Sequence, residues 1–151
     1  MMLETVDSWE RTKGFPRVAC SPAVLVFDED MTDLAHHAAP FEARGFEVHR
    51  CMSVESALRC VEREELDFAM IDQGSAAFEG RRVIRHLIRY NLRTPFLVIA
   101  RSREERCFQE ALALGAMDYL QKPVPGADID AIIRECFGNS LPSPTWERFH
   151  K

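Results

Sequence analysis

Five short apolar runs punctuate the chain: Val24–Phe27, Phe46–Val48, Phe68–Ile71, Phe96–Ala100 and Met117–Leu120. Runs this short, several of them unbroken by polar residues, suit strands of a parallel sheet buried on both faces. Between them the period changes. Val54, Ala57, Leu58 and Val61 fall at i, i+3, i+4 and i+7, and so do Ile129, Ile132, Ile133 and Cys136, with Phe137 extending that stripe. This spacing lines one face of a helix. The first helical stripe (Leu34, Ala35, Ala38, Phe41) contains Pro40, which removes the bond back toward His36 and predicts a kink or a short helix there. Gly45, Gly115 and Gly138 stand where helix C-caps are expected. Ser102-Arg103-Glu104-Glu105 reads as a capping box that opens the fourth helix.

Alternation of strand and helix predicts an α/β protein, a (βα)5 doubly wound parallel sheet with right-handed crossovers and helices on both faces. The domain is expected over residues 23–138, with an N-terminal extension at 1–22 and a C-terminal tail at 139–151. Both extensions are polar, and Pro16, Pro22, Pro142 and Pro144 discourage regular structure in them. Their aromatic residues, Trp9, Phe15, Trp146 and Phe149, either pack back on the domain or dock a partner.

Composition narrows the function. A chain of 151 residues with 46% hydrophobic and 28% charged residues is one ordinary globular domain. A net charge of −5 gives no global electrostatic case for nucleic acid or an anionic membrane. No apolar run approaches the ~20 residues of a membrane span, and Glu4, Asp7 and Glu10 precede any apolar stretch, unlike a signal peptide. The five cysteines (20, 51, 60, 107 and 136) are scattered and odd in number, which suits free thiols in a reducing cytoplasm.

In doubly wound sheets ligands bind beyond the carboxyl ends of the strands. Strand one ends in Asp28-Glu29-Asp30, strand three in Asp72, strand four in Ala100-Arg101-Ser102 and strand five in Lys122-Pro123. Carboxylates converging without a cation repel one another. Mg2+ resolves that with one or two carboxylates plus water and phosphate oxygens, and a lysine opposite suits a phosphoryl group. Three acids, one isolated, and one lysine thus suggest an acyl-phosphate site in which the isolated aspartate attacks phosphorus.

The stretches VLVFDED (24–30), DFAMIDQG (67–74) and above all LGAMDYLQKPV (114–124) resemble the bacterial two-component response-regulator receiver domain. The resemblance covers roughly residues 23–137 and implies the flavodoxin-like strand order 2-1-3-4-5. It implies that Asp72 is the phosphoacceptor, loaded in a phosphorelay from a sensor histidine kinase or phosphotransfer protein. Asp28 and Glu29 would hold Mg2+ with the Asp72 carboxylate and the backbone carbonyl of Gly74. Lys122 would contact the phosphoryl group, Pro123 would follow a cis peptide, and Tyr119 would be the aromatic switch. It further implies output by protein contacts across helix four, strand five and helix five, a face that also serves homodimers. The domain would be no turnover enzyme but would assist its own Mg2+-dependent phosphorylation and dephosphorylation. The short tail after Gly138 favours a regulator acting alone.

The chain departs from the family pattern where a Thr or Ser normally ends strand four, since Ala100 stands there with Arg101 next to it. Arg101 has three possible arrangements: direct contact with the phosphoryl oxygens, a fold over the pocket to pair with the acids, or solvent. Ser102 could replace the lost hydroxyl only by giving up its cap. Asp30 is read as an acid favouring the dipole of helix one. Arg81, Arg85 and Arg89, joined by Arg82 and Arg93, read as a solvated face, and His36 and His37 as surface positions. Two other functions stay open. One is a degenerate receiver that binds partners regardless of phosphorylation. The other is a haloacid-dehalogenase-like phosphatase with Asp28 as nucleophile, Asp30 as acid and Asp128/Asp130 as a second acidic pair.

Overall fold

The computed structural model describes residues 21–138. Residues 1–20 of the N-terminal extension expected at 1–22 and the whole tail at 139–151, with Cys20 and the four terminal aromatics, lie outside the described residues. Ten elements alternate: β1 (Ala23–Phe27), α1 (Met31–Ala43), β2 (Glu47–Cys51), α2 (Val54–Arg63), β3 (Phe68–Asp72), α3 (Gly80–Tyr90), β4 (Phe96–Ala100), α4 (Glu105–Ala113), β5 (Tyr119–Gln121) and α5 (Gly126–Phe137). The five strands form one parallel sheet in the order β2-β1-β3-β4-β5.

Strand side chains alternate between two cores. Leu25, Ile71 and Val98 face α2, α3 and α4, meeting Val61, Ile84 and Ala111. Val26, Met70 and Ile99 face α1 and α5, meeting Phe41, Ala38 and Ile133. The three central strands β1, β3 and β4 are therefore buried along their whole length, which is why they read as unbroken apolar runs. The edge strand β2 is mostly polar, so its apolar run announced only its beginning.

Three local expectations change. α1 runs unbroken through Pro40 for 13 residues. Leu34, Ala38 and Phe41 anchor it to the sheet on both sides of the missing bond. α4 starts at Glu105 with Glu104 at the N-cap and no side-chain cap bond, so Ser102 does not cap it. His37 is fully buried, at the i+3 position from Leu34 and i−4 from Phe41, whereas His36 lies exposed as expected. Gly45, Gly115 and Gly138 do follow helix ends at positive φ.

Register aligns the strand ends. Phe27 pairs with Ile71, Asp72 with Ile99, and Ala100 with Gln121. The residues that follow β1, β3, β4 and β5 therefore emerge at one edge of the sheet.

Candidate functional site

Lys122 occupies the centre of that edge. Its Nζ lies 3.0 and 3.3 Å from the two carboxylate oxygens of Asp28, 3.2 Å from Asp33 and 3.2 Å from Asp72. Asp28 is inaccessible to solvent, Asp72 nearly so, and the Lys122 side chain is 4% exposed. One ammonium thus balances three carboxylates in a place with little water, where each charge matters more than at the surface.

The proton equilibria register this crowding. Burial and the Asp28 charge push the Asp72 carboxyl up from its usual range, against the pull of Lys122. Burial would depress the Lys122 ammonium, but its hydrogen bond to Asp28 and the charges of Asp72 and Asp28 outweigh that, and the net shift is upward. The amide N–H of Asp33 holds Asp30 low, because Asp30 is the N-cap of α1 and accepts that bond at 3.0 Å. Asp30 therefore serves the helix terminus, as the sequence suggested.

Asp28, Glu29, Asp72 and Gly74 line one pocket of about 370 Å3 with Lys122 and Arg101. The loop after β3 is shaped by two glycines. Gly74 sits at φ 85, and a Cβ there would run into the Glu79 carboxylate. That carboxylate accepts the Ser75 amide at 2.7 Å and the Ser75 hydroxyl, bonds that hold its pKa below the usual carboxylate range. A Cβ on Gly80 would collide with the Asp72 backbone carbonyl, so α3 can start against β3 only with glycine there. Arg101 takes the second of its three arrangements. It folds toward the acids, with Nη2 3.1 Å from Asp33 and 3.7 Å from Asp30.

Beside this pocket the end of β4 is apolar. Ala100 is 1% exposed, within the core cluster that also holds Tyr119. The Tyr119 ring points inward, packed edge-on against Phe108 at 5.4 Å. Its hydroxyl donates to Gln73 Oε1 and accepts the Glu104 amide at 3.1 Å. The Lys122-Pro123 peptide is cis. Past it, His37 Nε2 accepts the Val124 amide at 3.0 Å, while His36 Nε2 donates to the Val124 carbonyl at 2.8 Å.

Together these contacts describe a buried acid–lysine cluster at the carboxyl edge of a 2-1-3-4-5 sheet. The profile of the response regulator receiver domain matches residues 24–134. The chain belongs to this family. Among curated receiver-containing relatives it is 25% identical to the transcriptional regulatory protein ZraR of Escherichia coli K12 over 117 residues, 78% of this chain and 26% of ZraR. It is 27% identical to the alkaline phosphatase synthesis transcriptional regulatory protein PhoP of Bacillus subtilis over 111 residues, 74% of this chain and 46% of PhoP. The chain thus spans between a quarter and a half of these relatives. Its fold is that of a CheY-like receiver domain protein from Methanospirillum hungatei (TM-score 0.70, 22% identity, 76% of this chain and 92% of the other). It is likewise that of a Burkholderia pseudomallei response regulator crystallised with a phosphorylated aspartate, a calcium ion and citrate (TM-score 0.66, 22% identity, 86% and 72%).

Within this receiver domain the expected site residues Asp28, Glu29, Asp72, Gly74, Lys122 and Arg101 meet in one pocket, while Ala100 and Tyr119 lie in a common core cluster and Pro123 follows Lys122 across the cis peptide. The second acidic pair of the phosphatase reading lies elsewhere, since Asp130 on α5 pairs with Arg44 at 3.4 Å. The arginine row is not wholly solvated either: Arg81 pairs bidentately with Glu110, joining α3 to α4. Three contributors went unread in the sequence: Asp33, His37 and Gln73. For His37 the signal was present, because it falls on the apolar stripe of α1. For the others, polar residues near strand ends, nothing local distinguishes them.

Proposed function

We propose that this receiver domain accepts a phosphoryl group on Asp72 from a phosphohistidine of a sensor kinase or phosphotransfer protein. The observation that carries this reading is the Lys122 ammonium held between Asp72 and Asp28 in a buried pocket. In the transfer, a carboxylate oxygen of Asp72 bonds to phosphorus as the phosphorus–nitrogen bond of the donor imidazole breaks. Lys122 opposes the upward push of burial and Asp28 on the attacking carboxyl and then faces the oxygens of the transferred group. Arg101, which already reaches the acids, adds a second cation at the mouth.

The donor set fits Mg2+. It is all oxygen, from Asp28, Glu29, Asp72 and the Gly74 carbonyl, and one lysine leaves the acids with excess negative charge. When bound, Mg2+ supplies positive charge to the phosphoryl oxygens during transfer. Output then proceeds by protein contacts on α4, β5 and α5, the face that would also carry a homodimer.

Incubation with Mg2+ and acetyl phosphate tests the reading. Label is expected on Asp72 and is lost in Asp72→Asn. Turnover that survives Asp72→Asn but fails in Asp28→Asn would instead reveal a phosphatase.

Ala100 favours a second reading, a receiver whose phosphorylation is poorly coupled to its surface. No hydroxyl stands at the end of β4, and Tyr119 is tied to Gln73 and Glu104. A phosphate mimic should then shift amide signals around Asp72 and leave those of Tyr119 and α4 nearly still. Large shifts at Tyr119 would refute this reading. An unlabelled, folded protein would leave only the phosphorylation-independent binding module.

A further inference from the structure

At the opposite edge of the sheet, where the strands begin, three side chains from two elements converge. Glu47 and His49 lie two apart on the edge strand β2 and so share a face, the one turned toward α2. Glu64 is the C-cap residue of α2. One imidazole nitrogen and two carboxylates lie within 4.8 Å of one another, close enough together to share one ion.

We propose that Glu47, His49 and Glu64 form a second metal site, for a borderline divalent ion of the Zn2+ kind.

Two observations separate this cluster from an ordinary surface ion pair. His49 Nε2 is shut off from solvent and has no hydrogen-bond partner, although a Glu47 oxygen lies only 3.1 Å away. A hydrogen bond needs that oxygen along the N–H direction, and it lies off that axis. A metal ion shared by the two atoms would give that buried nitrogen the partner it lacks. The spacings agree. Ligand atoms bound to zinc at 2.0–2.1 Å with tetrahedral angles lie about 3.4 Å apart. His49 Nε2 lies 3.1 Å from Glu47 and 3.9 Å from Glu64, on either side of that value.

Position adds to this. The site lies at the carboxyl end of α2, where the helix dipole favours a cation. An imidazole with two carboxylates is a mixed nitrogen–oxygen set, which suits zinc and its first-row neighbours better than Mg2+. Three protein ligands leave a fourth position for water or a donor from a partner. The ion would fasten the edge strand β2 to the end of α2, remote from the phosphoryl pocket.

The test uses the full chain freed of metal by chelation. Titration calorimetry with ZnCl2 and the visible absorption of the Co2+ form report on binding and geometry. One equivalent of Zn2+ is expected to bind and raise Tm, with a four- or five-coordinate Co2+ spectrum. His49→Gln and Glu64→Gln, both partly exposed and away from the core, should each weaken Zn2+ by about tenfold or more. Asp72→Asn should leave Zn2+ binding unchanged. The proposal is overturned if millimolar Zn2+ neither binds nor stabilises, or if Asp72→Asn abolishes binding. Binding lost in Cys60→Ser but kept in His49→Gln would also overturn it, by placing zinc on the Cys51–Cys60 thiols.

Discussion

The Lys122 side chain at the end of β5 is 4% exposed and touches three carboxylates, whereas Arg101 just past β4 is 68% exposed and touches two. Both are cations facing acids across the same pocket. Their weights differ because water screens one and not the other. Around Lys122, Asp28 and Asp72, charge is held at the ends of strands, and His37 grips the backbone past Pro123. Around Ala100 and Arg101, residues 101–106 are all exposed, and α4 begins without a side-chain cap. The pocket is organised in advance of any ligand; the segment that would report on it is held by a few bonds through Tyr119.

The largest test of this contrast is Lys122→Met. Two buried carboxylates would lose their counter-charge, a loss of roughly 3–5 kcal/mol at pH 7 by analogy with broken buried pairs. Urea denaturation should show the deficit narrowing as pH falls, because Asp72, already pushed up by burial and Asp28, then takes a proton. A loss no larger than that from a surface lysine would end the distinction.

His37→Leu probes the support behind Lys122. It leaves the buried Val124 amide without its acceptor, at a cost of roughly 1–3 kcal/mol. Burial and then the neighbouring His36 hold the His37 imidazole below its ordinary value. The unfolded chain therefore takes up a proton before the folded one does. The His37 contribution is complete above about pH 6.5 and falls as pH drops from there toward the depressed folded value. Melting curves between neutral and mildly acidic pH should show that slope in the parent protein and lose it in the variant.

On the β4 side, Tyr119→Phe removes the hydroxyl that joins Gln73 to the Glu104 amide. Its expected cost is about 1 kcal/mol, with faster amide exchange at the start of α4 as the sharper readout. The smallest effect belongs to Arg101→Ala. An exposed pair contributes less than about 1 kcal/mol, so Tm should barely move in moderate salt. A drop comparable with that of Lys122→Met would show that the two cations do equal work.

The fold and most of the pocket could be read from residues in order. β1, β3 and β4 are buried on both faces, so apolar runs reported them directly, and Asp28, Asp72 and Lys122 stand immediately after such runs or β5. Failures came where packing overruled a local rule. Pro40 did not stop α1 because Leu34, Ala38 and Phe41 hold both halves to the sheet. Ser102 did not cap α4; the amide of its N-cap residue Glu104 instead donates to the Tyr119 hydroxyl, from a residue 15 positions away.

What the residues determine alone is the alternation of elements, the faces of the sheet and the identity of the acids at its carboxyl edge. These follow from periodicity and from the cost of burying a charge, both local properties. Only the tertiary structure decided that Lys122 also binds Asp33, that Arg101 turns toward the acids, that Tyr119 lies inward, and that His49 meets Glu64. Each depends on distances between segments far apart in the chain, where a fraction of an ångström separates a bond from none.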